Sequence, residues 1–392
     1  LEDTLAMNTL HLALSVLFMG LSISRAGCAQ QSMVNSYEET TPQLSELLAL
    51  HQSLVEIPSV SGSEGEVGRF LQDYLEQRGY NVYAQPVKGS GGNDDRHNIF
   101  AYLGDSNKTR VMLTSHIDTV PPFLPYERRG TEIWGRGTVD AKGSVAAQIV
   151  AVESLRQSNE IAAEGDVALL FVVGEEDGSG GMSTANDLGL TWEAVIFGEP
   201  TELKLGRGHK GGIGVKLTAQ GTAGHSGYPE LGSNAIDKLV RGLAGLQSAM
   251  LPGSEEFGNT TLNVGVIQGG VADNVIPAQA SASALVRLAT DRIDDTEAII
   301  ERAVHDASPE VQVEFSGAWS PVPLDYDIEG FETVVLSYGT DVPNLRGNHK
   351  RYLYGPGSVL VAHSDHEHLE ISDLEVAVED YKALVVGSLK PE

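Results

Sequence analysis

The sequence predicts an α/β protein, with a mainly parallel sheet covered by helices on both faces and a smaller α+β domain inserted into it. Three observations carry this expectation. Near-continuous apolar strands alternate with helical stretches as far as residue 205; alternating, half-exposed strands replace them from residue 206; the first texture returns after Trp319. Strands apolar on both faces need cover on both faces, whereas strict apolar–polar alternation marks a sheet with one solvated face.

Taken in order, Leu10, Leu12 to Leu14, Val16 to Phe18 and Leu21 form an apolar run that ends at Gly27, Cys28 and Ala29. It reads as a signal peptide over residues 1–29, too short for a transmembrane helix, and implies a secreted protein that leaves the membrane once the leader is cleaved. Helical spacing appears at 44–54 and 64–78, strands at 98–103, 110–115, 166–173 and 194–197, and a helix at 142–157. Strands at 211–220, 259–268 and 279–289, with helices at 233–250 and 294–306, follow the β-α-β-β-α-β order of a ferredoxin-like, split-βαβ unit. A helix at 328–338, a Gly355-Pro356-Gly357 loop, a strand at 358–362 and a helix at 371–389 close the chain. The main domain therefore spans 30–205 and 318–392, and the inserted lid spans 206–317.

Composition narrows the function. Lys plus Arg total 26 against 54 for Asp plus Glu, a formal charge of −28 that repels phosphate backbones and argues against nucleic acid as a partner. Cys28 is the only cysteine and lies in the predicted leader, so disulfides and thiolate metal sites are excluded from the mature chain. Asn107 and Asn259 begin glycosylation sequons, which a secreted eukaryotic protein would use.

Charged groups gather where predicted strands end. The strand at 110–115 runs into His116-Ile117-Asp118, that at 166–173 into Gly174-Glu175-Glu176, that at 194–197 into Gly198-Glu199-Pro200-Thr201, and that at 358–362 into His363. The carboxyl ends of strands in such a sheet share one edge, where ligands bind. Imidazole plus carboxylate without thiol suits zinc, cobalt or manganese better than calcium, with zinc the default. Two histidines and three carboxylates exceed one tetrahedral ion but fit two ions about 3.5 to 4 Å apart that share a carboxylate. Asp140, ahead of the helix at 142–157, is the candidate bridge. Singly, each residue has an ordinary explanation: Asp140 as a helix N-cap, Glu175-Glu176 as a solvated turn, the run His363 to His368 as a polar loop. None of these explains why all of them fall on one edge.

His116-x-Asp118-x-x-Pro121, the glycine-flanked Asp140, Gly174-Glu175-Glu176, Gly198-Glu199-Pro200-Thr201, Gly221-x-x-Gly224-His225-Ser226 and Ala362-His363-Ser364 together resemble the M20 metallopeptidases, in order, from about residue 44 to the C-terminus. That family groups carboxypeptidases, aminoacylases, acetylornithine deacetylases and succinyl-diaminopimelate desuccinylases. The resemblance implies one metal ion held by His116 and Glu199, a second by Glu176 and His363, and Asp140 bridging them. It implies Glu175 as general base on a metal-activated water, and Asp118 as the carboxylate orienting His116. It implies that His225 of the lid reaches the scissile carbonyl, in dimeric members from the neighbouring subunit, and hence a homodimer through the lid. Asn274 and Gly357 match positions lining the substrate site, and Arg287, on a lid strand, is placed to clamp a substrate carboxylate.

Other classes fit less well. Gly206-Arg207-Gly208-His209-Lys210-Gly211 satisfies a dinucleotide fingerprint but leads into a strand rather than a helix, and Gly224-His225-Ser226-Gly227 lacks the spacing of a serine-hydrolase elbow. A non-catalytic metal- or peptide-binding protein on the same scaffold would have no need of Glu175. The expectation is a secreted zinc exopeptidase of carboxypeptidase type acting on small peptides, with an N-acyl amino acid amidohydrolase, aminoacylase or acetylornithine deacetylase-like, as the alternative.

Overall fold

The computed structural model describes residues 41–88 and 95–390. The predicted leader lies outside them. Helices α1 (Pro42–Glu56) and α2 (Gly65–Glu76) precede strands β1 (Asn81–Pro86), β2 (His97–Tyr102) and β3 (Val111–His116). A hairpin of β4 (Glu127–Arg129) and β5 (Glu132–Trp134) follows, then α3 (Lys142–Gln157), β6 (Val167–Val172), α4 (Gly180–Ala185) and β7 (Ala194–Gly198). The chain crosses through β8 (Leu205–His209) into β9 (Gly211–Gln220), β10 (Gly224–His225), α5 (Ala235–Ser248), β11 (Thr261–Gly269), β12 (Val275–Ile276), β13 (Gln279–Leu288), α6 (Ile293–Ala307) and β14 (Val311–Trp319). It returns through β15 (Val322–Pro323), β16 (Thr333–Leu336), β17 (Lys350–Tyr354), β18 (His368–Glu370) and α7 (Ile371–Ser388).

The main sheet has the order β1-β2-β6-β3-β7-β17, parallel from β6 to β17 and antiparallel at β1 and β2. Its inner strands are buried along their whole length because the alternating side chains feed two cores. Leu113, Leu169 and Phe171 point to the face covered by α1, α2, α3 and α7, while Met112, Ala168 and Leu170 point to the face covered by α4, Trp192 and Leu336. Helix α3 is central: Ala146, Ala147 and Ala151 are fully buried and let α1 and α7 approach it closely. Helix α1 starts where Thr41 accepts the Leu44 N–H at 3.1 Å and Pro42 takes the first turn.

The lid is an antiparallel sheet of order β11-β13-β9-β14 with α5 and α6 packed on one face. Ile213, Val215 and Leu217 of β9 alternate into that core against Leu239, Leu246, Ile300 and Val304. The α/β main domain with its inserted α+β lid is thus observed.

Two elements differ from expectation. The helix predicted at 328–338 is absent; Thr333–Leu336 is strand β16, parallel to β8, as suits a β-branched Thr-Val-Val run. The strand predicted at 358–362 is instead a series of turns, with Leu360 81 % exposed, and the pairing strand is β17, upstream of the Gly-Pro-Gly loop. An apolar run after glycine and proline resembles a strand, but among the described residues it pairs only at Ser358, in an isolated bridge to Thr201. Among the described residues, no helix is long and apolar enough to cross a membrane.

Candidate active site

The carboxyl ends of β3, β6 and β7 share one edge, and five donors meet there. His116 Nε2 lies 3.0 Å from Asp140 Oδ1 and 3.9 Å from Glu199 Oε2. His363 Nε2 lies 3.2 Å from Asp140 Oδ2 and 2.9 Å from Glu176 Oε1. Each oxygen of Asp140 thus faces a different histidine, each of which has a second carboxylate beside it. Donor atoms of His116, Asp140 and Glu176 fall within 4.8 Å of one another, a spacing that suits metal ligands. Asp140 is not a helix cap: Ala141 occupies that position before α3, with no side-chain cap bond. His366 bonds Asp365 at 3.0 Å, and His368 stacks on Trp134 at 4.7 Å, so of the three neighbouring histidines it is His363 that joins the cluster.

The electrostatics match a cation site. Burial opposes a charge on His116, yet Glu199, Asp118 and Asp140 outweigh it and raise its pKa well above the ordinary value. His363 is pushed up to about 10 by its bonds to Asp140 and Glu176. For Asp140, burial works against ionisation, but the two histidines win and lower its pKa. Burial raises Glu199 and Glu175 well above the carboxylate range. Two imidazoles and three carboxylates, each within about 4 Å of another, all oxygen and nitrogen, are a donor set that fits two divalent ions.

Asp118 ties the site together differently from expectation. The closer acceptor for His116 Nδ1 is the main-chain oxygen of Asp118, at 3.0 Å, with its carboxylate at 3.6 Å. That carboxylate instead accepts the N–H of Glu175 and of Glu176, each at 3.1 Å, and the Ser61 hydroxyl at 2.7 Å. It therefore fixes the turn that presents the general-base candidate and a ligand. Gly174 permits this turn: its φ is +71°, and a Cβ would stand 2.5 Å from Arg96 Nη2. Arg96 is itself buried and paired twice with Glu64, at 2.7 and 2.8 Å.

A cavity of about 870 Å³ opens over the cluster, lined by Asp140, Glu175, Glu176, Glu199 and His363 on one side and by Arg287 of β13 and Trp319 at the end of β14 on the other. Arg287 is thereby brought to the site, where Glu175 is its opposing charge. His225 and Asn274 are not: they lie on the exposed β10 and β12 margin of the lid, where the Asn274 carbonyl accepts the Ser226 N–H at 3.1 Å. Gly357 is buried behind the cavity, with φ +74° and room for no Cβ, since Val139 Cγ2 would be 2.4 Å away. Asn107 and Asn259 are both exposed.

Sequence reasoning missed Asp341, Tyr338 and Glu367. Asp341 is buried beside His116 and Glu199, its pKa pushed up to about 6 by burial, and its Oδ1 has no hydrogen-bond partner among the described residues. Tyr338 donates to the Pro200 carbonyl at 2.8 Å. Tyr338 ends the stretch misread as a helix and Asp341 follows it; read as a strand, it would have placed Gly339-Thr340-Asp341 near the other strand ends. Glu367 was passed over as one more charge in a polar loop.

The chain is similar to known peptidases. The sequence model of a peptidase dimerisation domain matches residues 207–312, and that of peptidase family M28 matches residues 98–188. A peptidase M20 domain-containing protein of Sordaria macrospora is 48 % identical over 384 residues, covering 88 % of this chain and 85 % of its own. A probable carboxypeptidase of Aspergillus clavatus is 46 % identical over 378 residues, covering 88 % of this chain and 89 % of its own. Among solved structures, an M20 family metallo-carboxypeptidase of Sulfolobus solfataricus shares the fold, with a TM-score of 0.70 and 18 % identity over 88 % of this chain and 99 % of that one.

Proposed function

This chain belongs to the M20 peptidases, and from that premise we propose that it is a secreted carboxypeptidase-type exopeptidase, with two zinc ions held by His116 and Glu199, by Glu176 and His363, and by Asp140 between them. The observation that carries a substrate with a free carboxylate is Arg287, whose guanidinium lines the cavity with Glu175 as its opposing charge. A guanidinium fork beside the hydrolytic groups suits a substrate's terminal carboxylate, bound in two parallel hydrogen bonds. Between a peptide and an N-acyl amino acid, the name of the Aspergillus relative, a probable carboxypeptidase, favours the peptide.

Bound between these donors, the ions would supply Lewis acidity, lowering the pKa of a water and drawing charge from the scissile carbonyl. The chain's own residues do the rest. Glu175, kept basic by burial, takes a proton from the attacking water and delivers it to the leaving amine as the C–N bond breaks. Asp118 holds the N–H groups of Glu175 and Glu176 so that base and ligand keep one spacing. His116 donates from Nδ1 to the Asp118 carbonyl, which leaves its Nε2 lone pair facing the site. His225, distant from the cavity within one chain, acts from the partner of a homodimer formed through the lid.

The deciding assay incubates purified protein with blocked dipeptides and with N-acetyl amino acids. Release of C-terminal amino acids from peptides, abolished by chelator and restored by Zn²⁺, is the expected result. Cleavage of N-acetyl amino acids alone would favour the amidohydrolase, which needs the same clamp for its carboxylate. No turnover of either with metal loaded would overturn the proposal. Secretion rests on the apolar run ahead of Gln30, and an intact leader on protein recovered from culture medium would refute the cleavage after Ala29.

A further inference from the structure

Glu367 is the least expected charge near the site. Its side chain is fully buried, and so is that of Arg136, which donates from Nη1 to Glu367 Oε2 at 2.5 Å. The other oxygen, Oε1, accepts three main-chain N–H groups: Gly137 at 2.9 Å and Val139 and Asp140 at 3.3 Å each. The main-chain oxygen of Glu367 in turn accepts the Gly135 N–H at 3.2 Å. Immediately downstream, β18 pairs with β5 in the register His368 with Trp134. The loop 135–140 is thus wrapped around a single glutamate.

That glutamate stands four residues after His363. One short segment therefore carries a donor for one end of the cluster and, on the same stretch of backbone, the anion that grips Asp140, whose two oxygens serve both ends. A buried ion pair is a poor source of net stability, because desolvation of the two charges offsets most of their attraction. Successive N–H groups converging on one anion are, by contrast, a strong constraint on backbone geometry. Asp140 has no strand to hold it, whereas His116 and Glu199 sit at strand ends; the N–H bond to Glu367 takes the place of a strand ladder.

We propose that Glu367 is the positioning residue of the ligand set: it fixes the main chain of Asp140 so that Oδ1 and Oδ2 fall between the two histidines, and it locks that position to the segment carrying His363. The inference rests on the five donors being a dinuclear metal site. It assigns Glu367 no contact with metal or substrate. Loss of this grip weakens metal binding about 10- to 100-fold, the range for groups that orient ligands.

The test loads full-length wild type, Glu367→Gln, Glu367→Asp and Arg136→Met with Co²⁺ and challenges each with graded dipicolinate, following visible absorption, with thermal melting measured separately. Gln keeps the volume but loses the charge; Asp keeps the charge but is one methylene short of the loop. Arg136→Met disturbs the ion pair while leaving Oε1 on the three N–H groups. The expected result is weaker Co²⁺ retention in both Glu367 variants and near wild-type retention in Arg136→Met, whatever the order of melting temperatures. Should Glu367→Gln not fold, Glu367→Asp against Arg136→Met decides. Wild-type retention in the Glu367 variants, or equal weakening in all three, would leave Glu367 as half of an ordinary buried pair and overturn the proposal. If wild type itself takes up no Co²⁺, the metal site falls first and the inference with it.

Discussion

The two ends of the donor cluster are built in different ways. His116 closes β3, a strand buried along its whole length, and its side chain is 1 % exposed; His363 sits on a turn at φ +62°, with its side chain 53 % exposed. Yet each imidazole stands about 3 Å from one oxygen of Asp140. The sheet makes one end rigid and dry, and a loop makes the other open. The His363 imidazole is accordingly the one open to solvent, and the His116 imidazole the one shielded by its strand.

The largest effect comes from a residue that serves neither end as ligand. Glu175→Gln should leave both ends loaded and lower turnover by about 10²- to 10⁴-fold, the range for a positioned general base. Metal content by elemental analysis beside peptidase rates checks it, and loss of metal together with activity would make Glu175 a ligand instead. Next come the ligands. Asp140→Ala should empty the site most completely, because both ends share it. His116→Ala should lose metal and melting temperature together, since it leaves an uncompensated carboxylate cluster in a buried place. His363→Ala should keep the wild-type melting temperature and recover activity in excess Zn²⁺. Equal behaviour of the two histidine variants would erase the distinction between the ends.

The same contrast explains what was legible in the sequence. His116, Glu176 and Glu199 follow apolar strands whose patterning is strong, so their convergence on one edge was readable from strand order and chemistry alone. His363 was assigned to the end of a strand that does not exist; only the likeness of its Ala-His-Ser triplet to a family motif selected it over His366 and His368. Arg287 was legible because β13 alternates cleanly. Asp341 was lost with the misread helix before it. Glu367 was invisible because its partners are backbone N–H groups of residues more than two hundred positions earlier, and no local pattern encodes such a pairing. Asp118 was noticed for the right position but not for its hold on the Glu175 turn, which depends on how two strand ends lie side by side.

Arg287 tests whether the open end is also the substrate end. Arg287→Met should raise KM for peptides about 10- to 100-fold, as expected for a charge-assisted hydrogen-bonded pair, while changing kcat little. An amidated substrate, lacking the carboxylate, should not distinguish the variant from wild type. If it does, the guanidinium acts on something other than a C-terminus.

The smallest effect on activity, and a separate one on stability, comes from behind the rigid end. His51 is buried on α1 with Nε2 3.0 Å from the carbonyl of Thr138, two residues before Asp140, and burial lowers its pKa to about 4. The unfolded chain takes up this proton below about pH 6.5, the folded chain only near 4, so between those values acid favours unfolding. Stability from His51 is complete above about 6.5 and is lost as pH falls to about 4; at about 1.4 kcal/mol per unit, the loss approaches 3 kcal/mol. His51→Gln, which can still donate to Thr138, should keep peptidase activity at neutral pH and flatten the fall in unfolding free energy between pH 7 and pH 4.5. Buried His209, also held near 4, leaves part of the slope in place. Denaturant unfolding at the two pH values measures it. An unchanged slope would mean that the rigid end loses its acid resistance elsewhere, and that His51 is a packed ring whose titration the fold does not feel.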